Sequence, residues 1–308
     1  MGTRLHGRAP QGVSAGPDDR PEGRRLTLVP TPIGNLGDVT MRALDVLRAA
    51  DVVAAEDTRR SRTLLDRYAI TTPLVRLDAH TMAARAPRLL QEHAHVAFVT
   101  DAGSPGISDP GADLVRIALD HGVHVDALPG PTAFVPALVL SGLAVARFAF
   151  EGFLPRRGRQ RRERLAAIAA RDHTSVLYES PHRLAATLAD LAEACGARRP
   201  AAVARELTKR FETVERGTLE DLHGRFVATP ARGEIVVVVS ASPRSEGDDP
   251  NADDADEPLD PAALAAELAD GGARGRELLQ ALLERGVPRK AAYRLSVRHK
   301  RDPEEDEG

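Results

Sequence analysis

Thr100-Asp101-Ala102-Gly103-Ser104-Pro105-Gly106-Ile107-Ser108-Asp109-Pro110-Gly111 places three glycines and two prolines in twelve residues, directly after a compact apolar run. A chain that only had to turn would need one glycine for positive φ. Repeated glycines beside rigid prolines fix a bare backbone that a flat ligand can approach closely. The segment predicts a strand, a ligand loop and then a helix. Its two aspartates and two serines are candidate polar anchors.

The same unit recurs on either side. Apolar runs at 26–30, 51–55, 95–100 and 123–128 alternate with helical patterns at 40–49, 58–68, 81–93 and 110–121, which predicts βα alternation around a mostly parallel sheet. Three loops leave strands at their C-terminal ends: Pro30 to Leu36, the 100–111 loop, and Leu128 to Ala133. Those ends share one edge of a parallel sheet, so the loops converge on one cleft. After the Leu128-Pro129-Gly130-Pro131 break, a helix to about Ser141 leads to strands near 147–151, 175–179, 201–205 and 234–240. The expected fold class is α/β, with an N-terminal lobe at 26–135, a C-terminal lobe at 136–241 and a ligand cleft between them.

The 308 residues are 42% hydrophobic, ample for buried cores, but only 3% aromatic with no Trp. A nucleic-acid surface here would rely on arginine and backbone contacts more than on stacked rings. The net charge of -3 hides segregation: residues 246–258 carry seven acids and no base, and 156–164 carry six arginines. Residues 1–25 read as a disordered leader, 242–260 as an acidic linker and 301–308 as a tail. Between them, 261–300 shows three short helical patterns broken at Gly271-Gly272 and Gly286 to Pro288, a small helical bundle. Lys290, Arg294 and Arg298 recur every four residues on its last helix, as RNA contacts or as a solvated face. The lone Cys195 excludes an internal disulfide and a multi-cysteine metal centre, which suits a reducing cytoplasm. No signal-peptide core and no run of 18 apolar residues is present, so the expectation is a soluble, cytoplasmic protein without a membrane partner.

Several chemistries are unsupported. No Lys-Ser or Lys-Thr follows the glycine loop, which argues against a nucleoside triphosphate, and no Gly-x-Ser-x-Gly marks a serine hydrolase. The pairs His121/His124 and His93/His95 lack a nearby cysteine or carboxylate cluster, and no metal is expected. Ala55-Glu56-Asp57-Thr58-Arg59 closes the second run and opens a helix, with Asp57 or Thr58 as its cap. That leaves Glu56 and Arg59 to bind ligand or to pair with each other. Tyr178 to Arg183 and Arg205 to Lys209 likewise place polar residues just after apolar strands.

Together these segments resemble the tetrapyrrole methylase superfamily and, within it, the ribosomal RNA small subunit methyltransferase I family. The resemblance covers about Leu26 to Ser240 through VPTPIGNL (29–36), AEDTR (55–59), TDAGSPGISDPG (100–111), LPGPTA (128–133), FEGFLP (150–155, with Phe150 for the usual Tyr), YESPHR (178–183), ARELTK (204–209) and GEIVVVV (233–239). It implies S-adenosyl-L-methionine-dependent methylation of the ribose 2'-hydroxyl of a cytidine in the decoding region of 16S rRNA within the small ribosomal subunit. It also implies a homodimer with the cofactor folded into the interlobe cleft. Expected cofactor contacts are Pro32, Thr100, Asp101, Ala102, Gly103, Ser104, Ile107, Thr132 and Ala133. The second lobe would add Tyr178, Glu206, Gly233, Glu234 and Ile235. Two departures stand out: Asp78-Ala79-His80-Thr81 replaces the family's His-Glu-His-Asn, and Gly-Ser-Pro at 103–105 replaces Gly-Thr-Pro while keeping the hydroxyl.

Ribose is a poor nucleophile and benefits from a base, typically by about 10² to 10⁴-fold. Asp101 ranks first because it abuts the cofactor loop, with Glu56, Glu206 and Lys209 as alternatives. Lys209 would otherwise stabilise the forming alkoxide, and Asp101 would otherwise only bind cofactor or cap its loop. The arginines at 156–164 are expected to touch RNA phosphates or to form an exposed helix start. Competing readings are a same-fold methylase for a tetrapyrrole or protein substrate, and a non-catalytic RNA-binding assembly factor.

Overall fold

Strands covered on both faces by helices read as unbroken apolar runs, and β2 (Val52–Ala55) and β4 (His95–Val99) are buried at every position. This computed structural model describes residues 23–242 and 261–299. Most of the expected leader, nearly all of the acidic linker and the tail lie outside them. With β1 (Arg25–Leu28), β3 (Leu74–Arg76) and β5 (His124–Ala127), the two central strands form a sheet ordered β3-β2-β4-β1-β5. Every pairing in it is parallel. The three-residue β3 is absent from the expected runs; it is an edge strand too short to show a period.

Helices α1 (Met41–Ala49), α2 (Thr58–Arg67), α3 (Met82–Glu92) and α4 (Gly111–Asp120) connect these strands. Thr40 caps α1 by accepting from the Ala43 N–H, and Asp57 caps α2 by accepting from the Arg59 N–H. The α2 cap is therefore Asp57, with Thr58 the first helical residue.

After α5 (Phe134–Ser141), a second sheet contains β6 (Phe148–Phe153), β7 (Thr174–Glu179), β8 (Pro200–Arg205), β9 (Thr213–Thr218) and β10 (Ile235–Val239) in the order β6-β7-β10-β8-β9. β6 and β7 are parallel and the remaining pairs antiparallel. β9, Thr-Val-Glu-Arg-Gly-Thr, is a polar edge strand without an apolar run to reveal it. Helices α6 (Arg159–Ala170), α7 (Leu184–Cys195) and α8 (Leu219–Ala228) complete this half. Leu184, Leu188, Leu191 and Cys195 form the buried stripe of α7, so Cys195 is a packing residue whose thiol is pushed up by burial.

The arginine run departs from a simple RNA-facing stretch. Arg161 is only 8% exposed and donates to Asp190, Thr187 and the Pro155 carbonyl. Arg164 binds Glu151, the residue bulged out of β6 between Phe150 and Gly152, and Arg159 pairs with Glu163. These arginines tie α6 to its surroundings. Arg156, Arg157 and Arg162 are the exposed members that no such contact uses.

The chain divides into two compact units, 1–242 and 243–308. In the second, α9 (Pro261–Asp270), α10 (Gly275–Glu284) and α11 (Arg289–Arg298) bury Ala265, Ala269, Leu278, Leu282, Val287 and Ala292 against one another. Lys290, Arg294 and Arg298 are exposed on α11.

Candidate active site

Three loops of the first sheet are stitched together at one edge. Thr31 and Gly103 exchange backbone hydrogen bonds of 3.0 and 2.9 Å, and the Ser104 hydroxyl donates to the Pro131 carbonyl at 3.0 Å. Gly103 has φ +84°, where other residues are strained. Asp109 accepts from the N–H groups of Gly106 (2.8 Å), Ile107 (3.2 Å) and Gly111 (2.7 Å). It wraps its own loop and turns the chain into α4, so this aspartate is spent on architecture.

The second sheet brings its own edge opposite. Ile235, at the start of β10, stands beside Glu179 at the end of β7 and Arg205 at the end of β8. A cleft of about 510 Å³ lies between the two edges, within the usual range for a small ligand. Its first wall holds Glu56, Thr100, Asp101, Ala102, Gly103, Ser104, Ile107, Thr132 and Ala133; its second holds Tyr178, Gly233, Glu234 and Ile235. Those were all expected site residues. Pro32, Glu206 and Lys209 fall outside the lining, and Ile33 takes the place expected of Pro32.

Glu206 and Lys209 are engaged with each other. Lys209 Nζ donates to Glu206 at 2.9 Å and lies 3.2 Å from Glu234, while the Glu234 N–H also binds Glu206 at 3.0 Å. The Lys209 hydrogen bond holds the Glu206 carboxyl below its ordinary range. Burial disfavours the Lys209 charge, but Glu206 and Glu234 outweigh it and hold the ammonium high. A depressed acid and an elevated ammonium are both poor proton acceptors at neutral pH, so neither fits the role of base.

Glu56 is in the opposite state. No hydrogen bond engages its carboxylate among the described residues. Its pKa is raised first by burial, then by the charges of Asp101, Asp109 and Asp78, with Arg60 opposing. Arg59 does not pair with it; that guanidinium binds Asp57 at 2.8 Å and holds its carboxyl down at about 2. Asp101 faces Arg60 at 3.3 Å through Oδ2, whereas its Oδ1 is buried without a partner, as is Thr100 Oγ1. An unmet buried acceptor costs about 1–3 kcal/mol. Two of them on one wall fit a bound molecule carrying hydroxyl or ammonium donors.

Several residues of the cleft were not anticipated. Arg60, one place beyond the AEDTR segment, lines it beside Glu56. Phe153 is 54% exposed there and packs on Tyr178 with ring centroids 5.6 Å apart; its place in the FEGFLP segment was the available signal. Glu179 is a buried strut, accepting from Thr187 Oγ1 at 2.6 Å and the Ser180 N–H at 2.8 Å. Asp78, the departure from the family's histidine, accepts from Thr81 Oγ1 (2.9 Å), the His80 N–H (3.1 Å) and Arg76 Nε (2.7 Å), and so builds the turn into α3. Among the described residues no three His, Cys, Asp or Glu side chains group as metal ligands, and no helix is long and apolar enough to cross a membrane.

The family model for Tetrapyrrole (Corrin/Porphyrin) Methylases matches residues 25–223. The chain is 42% identical over 276 residues to ribosomal RNA small subunit methyltransferase I of Synechocystis sp., covering 88% of this chain and 97% of that protein. Its counterpart from Mesorhizobium japonicum is 44% identical over 94% of this chain and 97% of its own length. Among solved structures, uroporphyrin-III-C-methyltransferase from Thermus thermophilus superposes with a TM-score of 0.53 at 24% identity, covering 70% of this chain and 94% of that one. Diphthine synthase does so at 0.58 and 18% identity, covering 70% and 90%. At such identities these two show the shared fold alone.

Proposed function

The chain belongs to the ribosomal RNA small subunit methyltransferase I family of tetrapyrrole methylases, S-adenosylmethionine-dependent enzymes, and from that premise we propose that it methylates the ribose 2'-hydroxyl of a cytidine in the decoding region of 16S rRNA. The observation carrying this reading is the identity to small-subunit methyltransferases over 88% of the chain, which takes in both walls of the cleft.

Thr100 Oγ1 and Asp101 Oδ1 would accept the cofactor's hydrogen-bond donors, and Ile107, Ala133 and Ile235 would meet its apolar surface. When bound, the cofactor supplies an electrophilic methyl group on a cationic sulfur. The cleft walls would hold the hydroxyl against the methyl donor and exclude water, which would lower the barrier by orientation. Glu56 would take the proton that leaves the 2'-hydroxyl as that oxygen is methylated. A carboxylate whose pKa is raised by burial and that no hydrogen bond engages suits that role better than the Asp101 oxygens, one paired with Arg60 and one buried and left for a ligand donor.

The exposed Arg156, Arg157 and Arg162, with Lys290, Arg294 and Arg298 of the second unit, are assigned to rRNA phosphates. A homodimer is assigned to the apolar face of α5, where Val135 is 47% and Val139 67% exposed, with Val145 and Phe148 of the following segment also exposed. The setting of the reaction would be the cytoplasm. Deleting the gene and mapping 2'-O-methylcytidine in small-subunit rRNA by mass spectrometry tests the reading. The expected result is loss of one modification in the decoding region, restored when the purified protein and S-adenosylmethionine are added to the unmodified subunits. An unchanged pattern sinks the assignment.

A further inference from the structure

Beside the cleft, a separate groove of about 430 Å³ is lined by Thr58, Arg59, Arg62, Leu74 and Arg76. The function proposed above assigns it nothing. Three of its five lining residues are arginines, and a fourth, Arg60, lies between them in sequence and lines the cleft itself. The grouping follows from topology. β2 and β3 are parallel neighbours, so the start of α2, which follows β2, and Arg76 at the end of β3 emerge on the sheet edge that carries the cofactor loops.

The charges there are not used up by neighbours. A guanidinium has five N–H donors. Asp57 occupies Nε and Nη2 of Arg59, and Asp78 occupies only Nε of Arg76. Arg62 has no side-chain partner among the described residues and is exposed. The paired arginines are also exposed, Arg59 at 90% and Arg76 at 66%, so their ion pairs are weak and exchange readily with an incoming anion. Planar guanidinium forks in a shallow, aromatic-free groove match phosphodiester oxygens rather than bases. Leu74 is the one apolar side chain in the lining.

Resting on the rRNA reading, we infer that Arg59, Arg62 and Arg76 form a phosphodiester-binding groove, next in sequence to Arg60 of the cleft, that holds the rRNA backbone close to the target nucleotide. Such contacts carry no sequence information; they fix register, so that the chosen ribose sits beside Glu56. The groove is thus a positioning site in the lobe that carries the chemistry, separate from the arginines of α6 and α11.

The test uses the full-length protein, unmethylated small subunits and naked small-subunit rRNA at several salt concentrations. Arg62→Gln/Arg76→Gln should raise KM for both RNA substrates about tenfold or more and lower the salt slope of binding by about 1.4, the value for two lost single-strand phosphate contacts. The kcat at saturating RNA and S-adenosylmethionine binding should hold. Arg62→Gln alone, which disturbs no partner, should lower the slope by about half that, and Arg62→Lys should restore part of the affinity. Arg116→Gln, on the exposed face of α4, is the control for charge alone. Variants that match wild-type KM and salt slope overturn the groove while the function stands. Weakened binding to intact subunits with unchanged binding to naked rRNA hands the groove to a ribosomal protein and overturns the inference. A wild-type protein that leaves the subunits unmethylated overturns the functional reading and the groove with it.

Discussion

Glu206, behind the second wall of the cleft, has its carboxylate met by Lys209 and by the Glu234 N–H, whereas Thr100 and Asp101 on the first wall each keep a buried oxygen with no partner. The same contrast holds for the glutamates in the lining. Glu179 is bonded to Thr187 and Ser180, while Glu56 is bonded to nothing among the described residues. Meeting a buried polar group within the fold stabilises and immobilises it; leaving it unmet costs stability that a ligand's donors recover. The Glu206 and Glu179 carboxylates are therefore held within the fold, whereas the unmet oxygens of Thr100 and Asp101 line the cleft and are completed by what binds there.

The contrast breaks most visibly at Glu56. Glu56→Gln keeps the shape and removes the proton acceptor, so kcat on small subunits should fall about 10² to 10⁴-fold. S-adenosylmethionine binding, measured by calorimetry, should be unchanged. If Glu206→Gln produced that loss instead, the chemistry would belong to the second wall and the comparison would be inverted.

Asp101 should come next. Asp101→Asn removes a charged acceptor from the cofactor loop, and a hydrogen bond to a charged group contributes about 1.5–3 kcal/mol, so the cofactor Kd should rise roughly 10- to 150-fold. Equal cofactor binding with lost turnover would return Asp101 to the role of base. Lys209→Met tests the Glu206–Lys209 support: it should lower unfolding stability by about 1 kcal/mol, because the ion pair is only partly buried, with kcat within roughly twofold of wild type. A collapse of kcat without loss of stability would place Lys209 at the reacting oxygen.

The glycine loop, the βα alternation and the convergence of three loops were legible because each has a local signature: positive φ, strand period and strand-end position. Most of the first wall could be named from those signals and from the family resemblance, but not Arg60 or Ile33. The second sheet's mixed pairing was less legible, since β9 carries no apolar run and β10 pairs antiparallel with strands that lie several elements back in sequence. What the sequence could not rank was the carboxylates. Asp101 and Glu206 look as reactive as Glu56 until their partners are seen, because a carboxylate's basicity is set by neighbours distant in sequence. Arg161 shows the same limit within a single run: its burial against Asp190 and Thr187 depends on α7, and six consecutive-looking arginines divide into structural and exposed ones.

The smallest expected effect is in the pH profile, and its sign follows from the charges around Glu56. A base must be ionised, so log kcat/KM should rise with unit slope as pH increases to the Glu56 pKa and level off above it. Burial and then the Asp101, Asp109 and Asp78 charges raise that pKa, so the acid limb should lie above the ordinary carboxylate range. Asp101→Asn removes the largest of the three raising charges. It also leaves Arg60 without its carboxylate partner, so that the guanidinium acts more strongly on Glu56. Both changes lower the pKa, and at saturating cofactor the variant's acid limb should move to lower pH. In Glu56→Gln the limb should vanish from whatever activity is left. A limb that stays in place in Asp101→Asn, or that persists in Glu56→Gln, would show that another group accepts the proton.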